Sequence, residues 1–150
     1  MVIRRYAKSD IDEINNILIN TITKINSRDY NITQINAWLN AVGDINSLHN
    51  KLSHSFTFVV ELNNFLVGFG NITNKGYIDM LYVHHEHKNK GIGSLIASTL
   101  ESSVSNPIIT THSSITAKCF FEKRGYRVEK EQEVNRNGVV LNNFIMTLVR

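Results

Sequence analysis

From Tyr77 to Thr111 the chain reads as a strand, a glycine-bearing loop, a helix and a second strand, and this succession constrains the fold most. Tyr77 to Val83 is β-rich, with Ile78, Met80 and Tyr82 on one face and Asp79, Leu81 and Val83 on the other. The loop Lys88-Asn89-Lys90-Gly91-Ile92-Gly93-Ser94 follows. Helical spacing then gathers Ile92, Leu95, Ile96, Thr99 and Leu100 on one side of a helix over Gly91 to Ser103. Pro107 to Thr111 is again a strand, and a strand–helix–strand crossing makes its two strands parallel neighbours. A second crossing follows, with a helix over Ser114 to Lys123 and a strand over Tyr126 to Val134.

The flanking segments add antiparallel pieces. Val2 to Tyr6 is a short strand, and Ser9 reads as an N-cap with Asp12 reaching back to it. Ile11, Ile14, Leu18, Ile22 and Ile25 mark a helix over residues 10–25. A weaker helix over Ile32 to Ala41 stops at Gly43-Asp44. Phe56 to Glu61 and Phe65 to Ile72 form a hairpin through Leu62-Asn63-Asn64. Asn135 to Gly138 turns the chain into a last strand, Val139 to Leu148. The order β-α-α-β-β-β-α-β-α-β-β, without repeats or a linker, predicts one α/β domain (α+β by some schemes) over residues 1–150 with a mixed central sheet.

Composition removes several function classes. With 42% hydrophobic and 19% charged residues among 150, the chain has the make-up of a folded domain rather than a disordered one. The net charge of +3 suits an anionic ligand, but without a clustered basic helix or an aromatic platform it does not point to nucleic acid. Cys119, the single cysteine, leaves no internal disulfide and no multi-cysteine zinc finger. No apolar run approaches the roughly 20 residues that cross a bilayer. No apolar segment follows Arg4, Arg5 and Lys8, so a secretory signal is not expected and the cytoplasm is the expected compartment.

The glycine loop carries the sharpest chemistry. A helix N-terminus leaves several N–H groups unpaired beside a partial positive charge, which makes an anion site. Glycine lets backbone come close to a phosphate, and Lys88 and Lys90 add charge. No Lys-Ser or Lys-Thr follows the glycines, as a Walker A loop requires, and Ile96 stands where a dinucleotide fingerprint needs its third glycine. By itself the loop is equally a ligand-free turn.

Two stretches together resemble the GNAT acyltransferases. Val83 to Gly93 is similar to their motif A, R/Q-x-x-G-x-G/A, and Ser114 to Tyr126, with Ala117 and Phe120-Phe121-Glu122-Lys123-Arg124-Gly125-Tyr126, resembles their second motif. The element order matches along the whole chain, and the segment from Lys130 through Gly138 to Met146 is similar to an uncharacterised bacterial branch. The resemblance implies acetyl-CoA as the anionic ligand and no metal. Its pyrophosphate would lie on the amides of Lys88, Asn89, Lys90, Gly91, Ile92, Gly93 and Ser94, and its pantetheine along Leu81, Tyr82 and Val83. Ser114 and Phe121 complete the cofactor set, standing where the family usually has Asn and Tyr; Lys88 replaces its Arg or Gln.

The implied reaction is direct transfer of acetyl to a primary amine of a small molecule or protein. Asp79 is the candidate base, or else a residue that caps a loop or pairs with a surface cation. The N–H of Leu81 or Tyr82 would hold the oxyanion. Phe121 cannot donate a proton to the leaving thiolate, which leaves Tyr82, Tyr126, a water or no acid; Tyr126 reads as core. His112 is a second candidate for proton handling. Tyr30 and Trp38 could line the acceptor pocket, although Trp38 reads better as a core anchor. Cys119 reads as a buried small hydrophobe, and His84-His85-Glu86-His87 as a solvated loop rather than a metal site. The alternative is a catalytically weak acyl-CoA-binding regulatory module. Neither the acceptor nor a homodimer through the last strands can be read from the sequence.

Overall fold

A computed structural model describes residues 1–150. In chain order the elements are β1 (Val2–Arg5), α1 (Ile11–Lys24), α2 (Ile32–Val42), α3 (Ile45–Ser53), β2 (Phe56–Leu62), β3 (Phe65–Ile72) and β4 (Tyr77–Val83). Then come α4 (Ile92–Ser102), β5 (Ile108–Ser114), α5 (Lys118–Lys123), β6 (Arg127–Arg136) and β7 (Val139–Val149). The strands form one seven-stranded sheet in the order β1-β2-β3-β4-β5-β7-β6. Every pairing is antiparallel except β4 with β5.

Each face of the sheet buries its own apolar layer. On one face α1, α2 and α3 contribute Ile14, Leu18, Ile22, Ile35, Leu48 and Leu52 against Val59 and Phe69. On the other, Ile92, Ile96 and Leu100 of α4 and Phe121 of α5 pack on Val67, Ile72, Ile78 and Ile109. The α/β class, the mixed sheet and the element order stand as expected, with one helix more, but the second strand–helix–strand crossing does not make parallel neighbours: β7 lies between β5 and β6 and pairs antiparallel with both.

That helix is α3. Its sequence places Ile45, Leu48 and Leu52 at helical spacing, the two leucines nearly fully buried and Ile45 exposed, and Asp44 caps it by accepting from the Ser47 N–H at 2.8 Å. Ser9 does not cap α1. The chain enters α1 through a 3-10 turn, Lys8–Asp10, in which the Asp10 carboxylate accepts from the Ala7 N–H at 2.8 Å. Arg4 reaches from β1 and holds that carboxylate with two further bonds, at 2.9 and 2.8 Å. β5 runs on to Ser114 because it pairs with β7 along its whole length, so α5 starts only at Lys118.

The expected face pattern of β4 also needs correcting. Ile78 packs in the α4 layer with Leu81 and Val83, while Met80 and Tyr82 face the α1–α3 layer. The cause is a bulge: Asn71 opposes Met80, Ile72 opposes Ile78, and Asp79 has no partner between them. One extra residue reverses the alternation on either side of it.

Candidate active site

The bulge coincides with a fork in the sheet. β4 and β5 pair only at Tyr77 with Thr110 and Ile78 with Thr111, after which the strands part. The fork opens at Asp79. At the bulge the Met80 N–H donates to the side chain of Asn71 (Oδ1, 2.9 Å), not to a backbone carbonyl. Asn71 is fully buried, and its Nδ2 donates in turn to Ser55 Oγ at 2.9 Å.

Beyond the bulge, antiparallel alternation sorts the backbone groups of β4. His84 N–H donates to the Val67 carbonyl of β3 at 2.8 Å, which turns the Tyr82 N–H toward β3 as well. The N–H groups of Leu81 and Val83 then face the fork. The Val83 carbonyl accepts from Thr21 Oγ1 at 3.1 Å, tying α1 to the strand end.

Two clefts meet at the fork and share Trp38, Asp79, Tyr82, His112 and Ser114. The first, about 170 Å³, lies among the α1–α3 side, β4 and the β6–β7 hairpin, with Tyr30, Lys51, Tyr77, Arg136 and Asn143 in its walls. The second, about 230 Å³, runs toward α4 and α5. It brings together Leu81, Val83, Lys88, Gly93 and Phe121 with the shared Asp79, Tyr82, His112 and Ser114. Two clefts therefore open on the same carboxylate, that of Asp79.

The rest of the expected loop forms the rim of the second cleft. Asn89, Lys90, Gly91 and Ser94 are exposed, while the Ile92 side chain is buried in the α4 layer. The N–H groups from Lys88 to Ser94 have no protein acceptor; the first intrahelical bond of α4 runs from Leu95 N–H to the Gly91 carbonyl. Gly91 sits at φ +78° as the N-cap, a left-handed conformation that side chains resist. Gly93 lies against Phe120, whose ring would stand 3.2 Å from an added Cβ.

Electrostatics at the fork set protonation states. The Asp79 carboxylate lies 3.5 Å from Lys51 Nζ, its side chain 23% exposed. Burial, and then the charge of Asp79, push the Tyr82 phenol well above its ordinary range, so it stays protonated. The same two causes push Tyr77 up to about 12. Tyr82 stacks on Phe69 at 5.7 Å between ring centres, and Trp38 meets Tyr30 edge-on at 5.3 Å. The Tyr30 hydroxyl accepts from Ile115 N–H at 2.9 Å and donates to the Asn142 carbonyl at 2.7 Å, joining α2's approach to β7 and the β5–α5 turn.

Other candidates settle into place. His112 is exposed, edge-on to Tyr77 at 5.1 Å and 3.5 Å from Gln132 Nε2. Ser114 Oγ accepts from Ala117 N–H at 3.1 Å, so its hydroxyl shapes the turn into α5. Phe121 is 4% exposed, between Phe120 and Tyr126. Tyr126 is core, its hydroxyl donating to Glu101 Oε2 at 2.7 Å. Cys119 is exposed rather than buried, because the short α5 turns that position outward. His84 and His85 stack at 4.6 Å, and burial holds the His84 imidazole below its ordinary pKa. Trp38, half-buried, packs on the α1–α3 layer and lines both clefts. The sequence did not single out Lys51, Asn71 or Tyr77 for the site, and only topology brings them to the fork; the resemblance implies that the Asn135 to Gly138 turn borders the acceptor, and Arg136 of that turn lies in the wall of the first cleft.

Comparison with known proteins agrees with this architecture. Residues 26–148 match the family described as an acetyltransferase (GNAT) domain. The N-acetyltransferase YafP of Escherichia coli (strain K12), itself described as uncharacterized, is 36% identical over 144 residues, covering 96% of this chain and 93% of YafP. A GCN5-related N-acetyltransferase from Rhodopseudomonas palustris superposes with a TM-score of 0.95 at 30% identity, over 99% of this chain and 95% of that one. The PaiA N-acetyltransferase of Thermoplasma acidophilum, solved in complex with coenzyme A, shares the fold at TM-score 0.78 and 17% identity, over 99% and 98% of the two chains. With its forked sheet, free loop amides and these matches, the chain belongs to the GNAT acetyltransferases and is an acyltransferase enzyme.

Proposed function

We propose that the chain, as one catalytic domain over residues 1–150, is an acetyl-CoA-dependent N-acetyltransferase passing acetyl directly to a primary amine. The observation that carries this reading is the meeting of two clefts at Asp79, one of them running to a row of unpaired amides at the start of α4. Those amides, with Lys88 and Lys90, suit a pyrophosphate. Thr116 Oγ1, buried without a partner and in the wall of the same cleft, suits a polar ligand there. Acetyl-CoA would supply the activated acyl group. The coenzyme A complex of the PaiA relative and the acetyl-CoA complex of a Salmonella typhimurium relative of the same fold support that choice.

Each residue then has one task. An amine with a pKa near 10 arrives protonated, and Asp79 takes its proton, directly or through water. The Leu81 N–H, facing the fork, donates to the carbonyl oxygen as negative charge develops there. Tyr82, kept protonated by its surroundings, can hold a proton near the departing sulfur where Phe121 has none to give. His112, exposed at the mouth of both clefts, can relay protons to solvent. A free, exposed cysteine fits the reducing cytoplasm as the place of work.

Incubation with acetyl-CoA and a panel of amines, with release of free thiol as the readout, tests the proposal. Thiol release that depends on amine is expected, and Asp79→Asn should lower kcat/KM by about 100-fold or more. Coenzyme A affinity, measured by calorimetry, should survive that substitution. Absence of thiol release across a broad panel would overturn the reading.

A further inference from the structure

The acceptor cleft has a chemistry of its own. Its floor is apolar and aromatic, with Tyr30, Trp38 and Tyr77 in its walls. Its charges are Asp79, two permanent cations (Lys51 and Arg136) and the titratable His112. Lys51 lies 3.5 Å from the Asp79 carboxylate, half exposed and free to turn toward a ligand. Arg136 makes no ion pair with any acidic side chain of the chain, although it stands in the same wall. Both cations line the same cleft as Asp79.

Resting on the acyl transfer proposed above, we infer that the acceptor is an amino acid with a bulky apolar side chain, its carboxylate taken by Lys51 and Arg136 while its amine meets Asp79. A polyamine or a lysine-rich peptide would bring further positive charge against two cations, an arrangement that electrostatics penalises. A neutral apolar amine would make no use of the exposed Arg136 guanidinium, whose charge a carboxylate can meet. A zwitterion satisfies both signs at once. In an α-amino acid the two charged groups lie only two bonds apart, as the 3.5 Å between Lys51 and Asp79 requires. The side chain then faces the aromatic floor. Asn143 Oδ1, buried in the same wall without a donor, is available to a second N–H of the amine.

The experiment pairs each acid with its decarboxylated amine: phenylalanine with phenylethylamine, and leucine with 3-methylbutylamine. Spermidine serves as the polycation, and ε-aminocaproate as an acid whose charges are far apart. Thiol release should favour each α-amino acid over its amine by at least tenfold in kcat/KM, with ε-aminocaproate below phenylalanine. Arg136→Gln and Lys51→Gln should each shrink that preference by about tenfold, mainly through KM for the acid. Equal or better use of phenylethylamine or spermidine would overturn the inference while leaving acyl transfer intact. A separate readout does not need turnover. Calorimetry on the protein saturated with coenzyme A should show phenylalanine binding more tightly than phenylethylamine, and neither ligand binding, or the reverse order, would overturn it.

Discussion

Asn71 shows how one buried side chain can decide where another points. Its amide replaces the backbone acceptor that the bulge removes from Met80, so the bulge persists without an orphaned N–H. Asn71→Ala should cost about 1–3 kcal/mol in urea denaturation, the usual penalty for a buried donor left unpaired. It should also lower kcat at least tenfold with little change in coenzyme A affinity, because Asp79 loses its support. Gly91, exposed and without a side chain, acts through its backbone instead. An added Cβ there meets nothing within 4 Å, so Gly91→Ala isolates the cost of φ +78°. That cost is about 1 kcal/mol, or roughly 2–4 °C in melting temperature for a chain this size. Calorimetry should show weaker coenzyme A binding as the loop amides are turned away. Gly91 and Asp79 were legible in the sequence because the loop pattern and a carboxylate in a β-run both stand out. Asn71 was not, since no sequence pattern announces a side chain that substitutes for a backbone acceptor on the neighbouring strand.

Helix α4 lies close on β3, and this contact aims its N-terminus at the second cleft. Gly70 makes the approach possible: a Cβ there would stand 2.7 Å from Ile96 Cγ2 and 2.9 Å from the Met80 carbonyl. Gly70→Ala should therefore destabilise by about 1–3 kcal/mol through overpacking, and the displaced helix should weaken coenzyme A binding at the same time. Unaltered stability and affinity would mean that α4 can shift freely on the sheet. Elements with strong periodicity, α1 and α4 above all, could be read from residue spacing. α3 could not, because three apolar residues in nine make barely two turns of periodic signal and the burial of its two leucines depends on the sheet beneath it. The boundary between β5 and α5 was equally hidden. It is set by β7, a strand pairing that lies more than twenty residues further along the chain.

At the scale of the whole molecule, the edge strand β1 and the helical face are tied together by Arg4, which bonds Asp10 twice and Glu61 of β2 once. The tie reaches the site, because α1 begins beside Asp10 and later supplies Leu18 to the first cleft and Thr21 to the Val83 carbonyl. Arg4's hydrogen bonds, aided by the Ala7 N–H and opposed by burial, hold the Asp10 carboxyl below the usual carboxylate range. A folded-state value below the unfolded one, near 3.9, means that this stabilisation is fully present above that pH. It is lost as the pH falls through the lower, folded-state value. Arg4 is 36% exposed, so solvent screening limits the contribution to about 1 kcal/mol. Asp10→Asn keeps an oxygen for the Ala7 N–H and removes the charge. The variant should be less stable than the parent at pH 7, and the stability gap should narrow as the pH falls below about 3.9 toward the lower, folded-state value. A stability gap that stays constant from pH 7 to pH 3 would assign the role of Asp10 to shape rather than charge, and the fold's acid sensitivity would then lie elsewhere.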